Sequence, residues 1–145
     1  MTMAYESRML IDGKLTEASG GATYDNINPA TERVIGPVAD AAEADMERAI
    51  TAARRAFDDT TWSTDKAFRK ACLVQLKDAL AKHREDLRPQ IVAEVGTPIG
   101  LTYAIQQDSC IDDMQWDIDL IDRYEFEYQL GVHEFFGMSS NRLVV

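Results

Sequence analysis

The chain has 145 residues, 46% of them hydrophobic and 28% charged, which suits one soluble globular domain rather than a disordered segment. Its formal net charge of −10 argues against binding to nucleic acid and against docking on anionic membranes, because both need a basic surface. The sequence has no segment like a signal peptide and no apolar run of about 18 residues, so the expected location is the cytoplasm.

Two β-hairpins are predicted first along the chain. Asp12-Gly13 lies between short apolar runs, which is typical of a two-residue hairpin turn. A second strand–turn–strand unit is centred on Asn28-Pro29-Ala30-Thr31, where proline fixes its own φ and moves the preceding residue out of the α region. Asp40-Ala41-Ala42-Glu43 follows directly and has the residue types of a capping box, which predicts the start of a helix.

Four helices are predicted after the hairpins. The first covers roughly residues 41–58, and the second covers roughly residues 65–83. The third is predicted to be capped by Asp86, which places Pro89 in its first turn, and to stop at Gly96. The fourth is predicted over about residues 101–126, with an acidic and solvated outer side. The apolar face predicted for the first helix comprises Met46, Ala49, Ile50, Ala53 and Phe57.

The last part of the chain is predicted to be unfinished β-structure. Residues 135–138 are expected to be irregular, and Arg142 is expected to begin a strand that has no partner in the chain. Soluble proteins usually avoid an exposed strand edge, so another segment or another chain is expected to cover this one.

The order of these motifs resembles the N-terminal part of the NAD(P)-dependent aldehyde dehydrogenase superfamily. The resemblance is collinear from about residue 8 to residue 145, and it covers only the front part of such an enzyme. One small departure is Leu15, which stands where that family usually has an aromatic residue. The matching motifs are Ile11-Asp12-Gly13-Lys14, Asn28-Pro29-Ala30-Thr31, the alanine-rich helix that ends at Phe57, Trp62-Ser63 and Glu94-Val95-Gly96-Thr97-Pro98.

The resemblance implies an α/β fold, in which β-hairpins and four helices flank a Rossmann-type cofactor domain that is incomplete in this sequence. Residues 1–134 are then part of the cofactor-binding domain, and residues 135–145 begin the oligomerisation strand. The implied activity of the complete enzyme is oxidation of a small-molecule aldehyde to a carboxylic acid, with NAD or NADP as the acceptor. The resemblance also implies a homo-oligomer.

Neither cysteine resembles the nucleophile of that family, because neither lies in a glycine-rich segment. Cys72 is predicted to be a core residue on the apolar face of the second helix. Cys110 lies between Asp108 and Asp112, and neighbouring carboxylates disfavour a thiolate. No catalytic or cofactor-binding residue is therefore assigned, and the chain by itself is predicted to be inactive.

A monovalent-cation site is implied by the resemblance. Its ligands would come from Asn26 and Ile27, the two residues before Asn-Pro, and from Glu94, two residues before Gly-x-Pro. Hard cations prefer oxygen ligands, which these residues offer. The alternative is that Asn26 completes a turn and that Glu94 is a surface residue of a helix.

Part of an aldehyde tunnel is also implied, in the helix that follows Gly-x-Pro. Counting without gaps from Pro98 places four residues near the tunnel wall: Ile105, Gln106, Ser109 and Cys110. Ordinary helix packing is the alternative for each of them.

A second function remains open from the sequence. A truncated, non-catalytic paralogue could act as a binding or assembly module by pairing its terminal strand with the edge of a partner's sheet.

Overall fold

The computed structural model describes residues 6–144, and within them three two-stranded antiparallel sheets accompany five α-helices. The strands are β1 Met9–Ile11, β2 Lys14–Thr16, β3 Thr23–Ile27, β4 Val34–Ala39, β5 Tyr128–Phe135 and β6 Met138–Val144. The helices are α1 Glu43–Asp59, α2 Lys66–Lys82, α3 Arg84–Val95, α4 Ile99–Thr102 and α5 Asp108–Arg123, with a 3₁₀ turn at Thr61–Ser63. The predicted α/β class is confirmed.

Both predicted N-terminal hairpins are confirmed, and their turns have the expected chemistry. Asp12 and Gly13 have φ angles of 54° and 71°, the left-handed pair that a tight hairpin turn of type I′ requires. Between β3 and β4, the side-chain oxygen of Asn28 accepts hydrogen bonds from the backbone N–H of Ala30, at 2.9 Å, and of Thr31, at 3.1 Å. The asparagine side chain therefore closes the turn itself.

The predicted capping box at Asp40 is wrong. The N–H of Asp40 donates to the carbonyl of Ala22 at 2.9 Å, which extends the pairing of β3 and β4, so Asp40 belongs with the strand rather than the helix. Helix α1 begins at Glu43, after Ala42. The carboxylate of Asp45 takes the capping role and accepts the N–H of Ala42 at 2.9 Å.

The predicted cap at Asp86 is also wrong. Helix α3 begins at Arg84, immediately after α2, and His83 is the boundary residue of both helices. Pro89 therefore lies inside α3 rather than in its first turn. In the interior of the helix, the missing N–H of proline costs one hydrogen bond. The predicted stop at Gly96 is confirmed, because Gly96 caps the helix with a φ of 72°.

The long helix predicted over residues 101–126 is divided in the structure. The short helix α4 ends at Thr102, a turn follows, and α5 begins at Asp108. Gln107 breaks the helical path with φ −149° and ψ −59°. Its buried side chain donates from Nε2 to the carbonyl of Arg84 at 2.5 Å, so a tertiary contact fixes the interruption. Helix α5 ends at Arg123 because Tyr124 is extended.

The C-terminal strand has a partner, contrary to the sequence prediction. Strands β5 and β6 pair antiparallel, with Phe135 opposite Met138. The segment predicted to be irregular is the turn of this hairpin, in which Phe136 and Gly137 have φ angles of 48° and 75°. The strand that contains Arg142 is therefore not an unpaired strand that needs a cover. The predicted division between residues 134 and 135 falls inside the hairpin, and the two-domain assignment stays a prediction.

The apolar contacts of the helices are unevenly distributed. Helices α2 and α5 pack together, and Ile111 and Ile118 of α5 are buried. The apolar stripe predicted on α1 exists as a pattern, yet Met46 is 59% exposed and Ile50 is 55% exposed. The apolar face of α1 is therefore open in this chain. Within residues 6–144, none of the helices has both the length and the apolar character needed to span a membrane.

Candidate functional site

Two loops that are distant in sequence meet at the C-terminal end of α3. A Cβ atom built on Gly96 would lie 2.8 Å from Cγ of Pro29, so the proline ring rests on the bare backbone of this glycine. Thr97, the next residue, is buried. The Asn-Pro turn and the Gly-x-Pro segment are therefore in direct contact, and glycine is required for the close approach.

The three residues predicted to hold a monovalent cation lie within three residues of Pro29 or Gly96 along the chain. Asn26 is half-buried on β3 opposite Gly36, and Ile27 follows it across a register shift, with its side chain exposed. Glu94 is exposed in the last turn of α3. Within residues 6–144, no three His, Cys, Asp or Glu side chains are grouped as metal ligands, so a cation here would depend on backbone oxygens together with Glu94.

A buried carboxylate connects the N-terminal hairpin to α1. Asp45 is 1% exposed and accepts hydrogen bonds from the Ser19 N–H at 2.9 Å, the Ser19 hydroxyl at 2.7 Å and the Ala42 N–H at 2.9 Å. The guanidinium of Arg48 also contacts it. These donors, the Ser19 hydroxyl above all, hold the pKa of Asp45 well below its usual range. The loop after β2 is thereby fixed to the start of α1.

A buried arginine joins α3, α4 and α5. Arg88 is 2% exposed, and its guanidinium donates to both carboxylate oxygens of Glu85, at 2.7 and 3.1 Å, and to Asp108 at 3.0 Å. It also donates to the hydroxyl of Thr102 at 3.0 Å, and its Cζ lies 3.7 Å from the centre of the Tyr103 ring. Hydrogen bonding to Glu85 raises the pKa of Arg88 further above its ordinary value, so this group stays charged.

The four residues predicted for the aldehyde tunnel are adjacent in the structure. Ile105 and Gln106 are exposed in the turn between α4 and α5, while Ser109 and Cys110 form the first turn of α5. The Cys110 thiol is exposed and donates to the carbonyl of Ile105 at 3.3 Å, which links the two pairs. Their role in a tunnel stays a prediction. Cys72 is half-buried on α2.

Asp45 and Arg88, the two charged residues that connect separate elements of the fold, were not predicted from the sequence. Asp45 had one available signal, because it is the third residue of a helix whose N-cap, Ala42, has no capping side chain. Arg88 had one partner in its own helix, Glu85 three residues earlier, but its other three partner groups depend on how α4 and α5 return to α3.

Comparison with known proteins identifies the family. The family model described as aldehyde dehydrogenase matches residues 15–139, and the chain belongs to this family. The aminoacetaldehyde dehydrogenase of Pseudomonas aeruginosa is 34% identical over 123 residues, which are 84% of this chain and 25% of that protein. The NADP/NAD-dependent aldehyde dehydrogenase PuuC of Escherichia coli is 29% identical over 124 residues, covering 85% of this chain and 25% of that protein.

Solved structures agree with this assignment. The γ-glutamyl-γ-aminobutyraldehyde dehydrogenase of Burkholderia cenocepacia aligns with a TM-score of 0.77 and 35% identity, over 82% of this chain and 24% of that one. Betaine aldehyde dehydrogenase of Staphylococcus aureus, solved with NAD⁺, aligns with a TM-score of 0.77 and 30% identity, over 86% and 24%. The chain therefore spans about a quarter of the length of the relatives it matches, and the predicted resemblance to an N-terminal part of this family is confirmed.

Proposed function

We propose that this chain forms the N-terminal part of an enzyme that oxidises a small-molecule aldehyde to the carboxylic acid with NAD or NADP as hydride acceptor. The collinear family match over residues 15–139 is the observation that carries the proposal. The open apolar face of α1 supports it, because such a face is expected where further parts of an enzyme pack.

The described residues themselves offer no cradle for the dinucleotide. The segment from Gly96 to Gly100 contains Pro98 and leads into α4, a helix of four residues, so it lacks the strand–glycine loop–helix arrangement that holds phosphates. We therefore assign no residue of this chain to NAD or NADP and no residue to the chemical step. In this proposal, the chain contributes scaffold and part of the substrate passage.

The 145-residue chain alone is expected to form no reduced nicotinamide from aldehydes, because it lacks both a nucleophile in a suitable setting and a phosphate cradle. Absorbance of NADH or NADPH with a panel of aldehydes measures this, and the protein encoded by the whole reading frame that contains the chain is the positive control. If the short chain does turn over an aldehyde, and if Cys110→Ser abolishes this turnover while Cys72→Ser does not, the exclusion of Cys110 as a nucleophile is contradicted. Absence of turnover by the whole protein would contradict the proposed function.

A monovalent cation is proposed at the contact between the Asn-Pro turn and the end of α3, held by Asn26, Ile27 and Glu94. Its support is that Pro29 and Gly96, which lie close to these residues in sequence, touch each other. Carbonyl and carboxylate oxygens at such a junction suit K⁺ or Na⁺.

Glu94→Gln is expected to remove most of a stabilisation by K⁺. In the whole enzyme, saturating KCl should raise the melting temperature by about 3 °C relative to choline chloride of equal ionic strength, and the variant should lose at least half of this gain. Asp78→Asn, an exposed carboxylate of α2, is the matched control and should retain the gain. Equal gains in both variants would remove Glu94 from the site.

We assign residues 1–134 to the cofactor-binding domain and residues 135–145 to the start of the oligomerisation strand, a boundary that lies inside the β5–β6 hairpin. A homo-oligomer in the cytoplasm is expected, without nucleic acid or membrane as partner, in keeping with the net charge of −10.

One observation favours the alternative of a non-catalytic assembly module. All residues of β5 are exposed, and both strands of its hairpin carry large apolar side chains in solvent, among them Leu130, Val132, Phe135 and Leu143. A module of this kind would form a complex of defined size through the hairpin. Light scattering of the 145-residue chain separates the two functions, because an enzyme part with open apolar faces should instead form polydisperse aggregates.

A further inference from the structure

We propose that Arg88 is a positioning residue that holds the turn between α4 and α5, and with it the surface patch formed by Ile105, Gln106, Ser109 and Cys110. That this patch faces the aldehyde rests on the proposed function. The position of the turn itself does not, because it follows from contacts within this chain.

The partners of Arg88 lie on every element around the turn. Glu85 is on α3, Thr102 is the last residue of α4, Tyr103 opens the turn, and Asp108 is the first residue of α5. One guanidinium thus fixes both ends of the turn relative to α3. Arginine suits this task because its rigid, planar group donates in several directions and stacks on an aromatic ring at the same time.

Few other side chains in the described part of the chain hold the turn. Ile105 is 67% exposed and Gln106 is also exposed, so neither of them anchors it by burial. Gln107 contributes one hydrogen bond, from Nε2 to the Arg84 carbonyl at 2.5 Å. The backbone closes locally, with the Gln106 N–H donating to the Leu101 carbonyl at 3.1 Å. The placement of the turn against α3 therefore depends mainly on Arg88.

Arg84 lies one helical turn earlier on α3 and has a different set of partners. Arg84 also reaches α5, with Asp112 at 2.5 Å and Asp108 at 3.7 Å, but its side chain is 24% exposed. Among the residues that the structure describes, its hydrogen-bond and ion-pair partners include neither Thr102 nor Tyr103. Replacing Arg84 therefore removes an arginine between the same two helices and leaves the α4 end of the turn fixed, which makes it the matched control.

The reactivity of the Cys110 thiol reports on the turn, because this thiol donates a hydrogen bond to the carbonyl of Ile105, a residue of the turn, at 3.3 Å. The measurement uses the protein encoded by the whole reading frame that contains the chain, and peptide mass spectrometry follows the modification of Cys110 and of Cys72 separately. The rate of reaction with iodoacetamide, a neutral reagent, is compared well below the melting temperature. Arg84→Met also removes a positive charge next to α5, so an acceleration that occurs only in Arg88→Met reports a loosened turn.

Arg88→Met is expected to accelerate modification of Cys110 about fivefold or more, whereas Arg84→Met changes it less than about twofold. Modification of Cys72 should stay unchanged in both variants, which separates local loosening from global unfolding. Tyr103→Leu removes only the stacking contact of an exposed residue and should give a smaller acceleration, so it decides the matter even if Arg88→Met does not fold. Unchanged Cys110 rates in Arg88→Met and Tyr103→Leu, or equal acceleration at both cysteines, would overturn the proposal.

Steady-state kinetics of the whole enzyme test whether the patch held by Arg88 faces the aldehyde. Arg88→Met is expected to raise KM for the aldehyde about fivefold, while kcat and KM for the nicotinamide cofactor change less than about twofold. An unchanged aldehyde KM together with an accelerated Cys110 would overturn the assignment of the patch to the substrate passage and confirm the positioning role. Absence of turnover in the wild-type enzyme would overturn the proposed function, and the thiol rates would still decide the role of Arg88.

Discussion

Gly96→Ala is expected to destabilise the chain by about 3 kcal/mol, because two independent costs add at this position. The φ of 72° is left-handed, which costs a residue with a Cβ about 1–2 kcal/mol. The new Cβ would also lie 2.8 Å from Cγ of Pro29, and relieving such overpacking against a rigid ring costs about 1–3 kcal/mol. Urea denaturation of the whole protein that contains the chain measures the sum.

Gly13→Ala is the matched control for the backbone cost. Gly13 has a φ of 71°, and a Cβ added there would meet no atom of the described residues within 4 Å, so only the left-handed strain applies. The difference between the two variants isolates the contact with Pro29. Adding Pro29→Ala to Gly96→Ala should recover part of that difference. Equal losses of stability in Gly96→Ala and Gly13→Ala would show that the two loops are not in tight contact.

Asp45→Asn is expected to lower the melting temperature at neutral pH by roughly 5 °C, because an amide nitrogen cannot accept the hydrogen bonds that the carboxylate receives from Ser19 and Ala42. The pKa of Asp45 is lower in the folded state than in the unfolded state. The stability that its charge provides is therefore fully present at any pH above the ordinary pKa of a carboxyl group. That stability is lost as the pH falls through the lowered value. The difference between wild type and variant should therefore shrink as the pH is lowered from neutrality.

Thermal melts of both proteins across this range test the sign of the effect. Asp58→Asn is the control on the same helix, since Asp58 is exposed and pairs with Arg54, and such surface pairs contribute little. A difference for Asp45→Asn that stays constant down to acidic pH would contradict the role of the charge.

The hairpins show how far turn chemistry predicts structure. Asp12-Gly13 and Phe136-Gly137 form turns of the same kind, with both residues at positive φ. Aspartate tolerates this conformation and is typical of it, so the first hairpin could be predicted. Phenylalanine is not typical of it, and the bulge around Gly131 interrupts the alternation of β5, so the second hairpin gave no local signal.

The helices show where periodicity stops being informative. The stripe of Met46 and Ile50 on α1 indicates one apolar face, but the pattern does not tell whether anything covers that face within the chain. The break before α5 was missed for a similar reason. Gln107 has the residue type of a surface position in a long helix, and only its contact with the Arg84 carbonyl, from a different helix, makes it a buried break.

The candidate site was partly accessible from the sequence. The motifs around Pro29 and Gly96 could be aligned with a family from the sequence. The structure adds that Pro29 and Gly96 touch each other. The dependence of the turn at Ile105 on Arg88 could not be predicted, because the partners Thr102 and Asp108 are far from Arg88 along the chain.

The connectivity of the sheets has a consequence for how the chain folds during synthesis. Each sheet pairs two strands that are neighbours in sequence, so each hairpin can close as soon as its second strand leaves the ribosome. The Ser19–Asp45 contact can follow once the start of α1 has emerged. The Pro29–Gly96 contact closes a much longer loop and must wait for the whole of α3. The β3–β4 hairpin is therefore expected to form early and to dock against α3 late in translation.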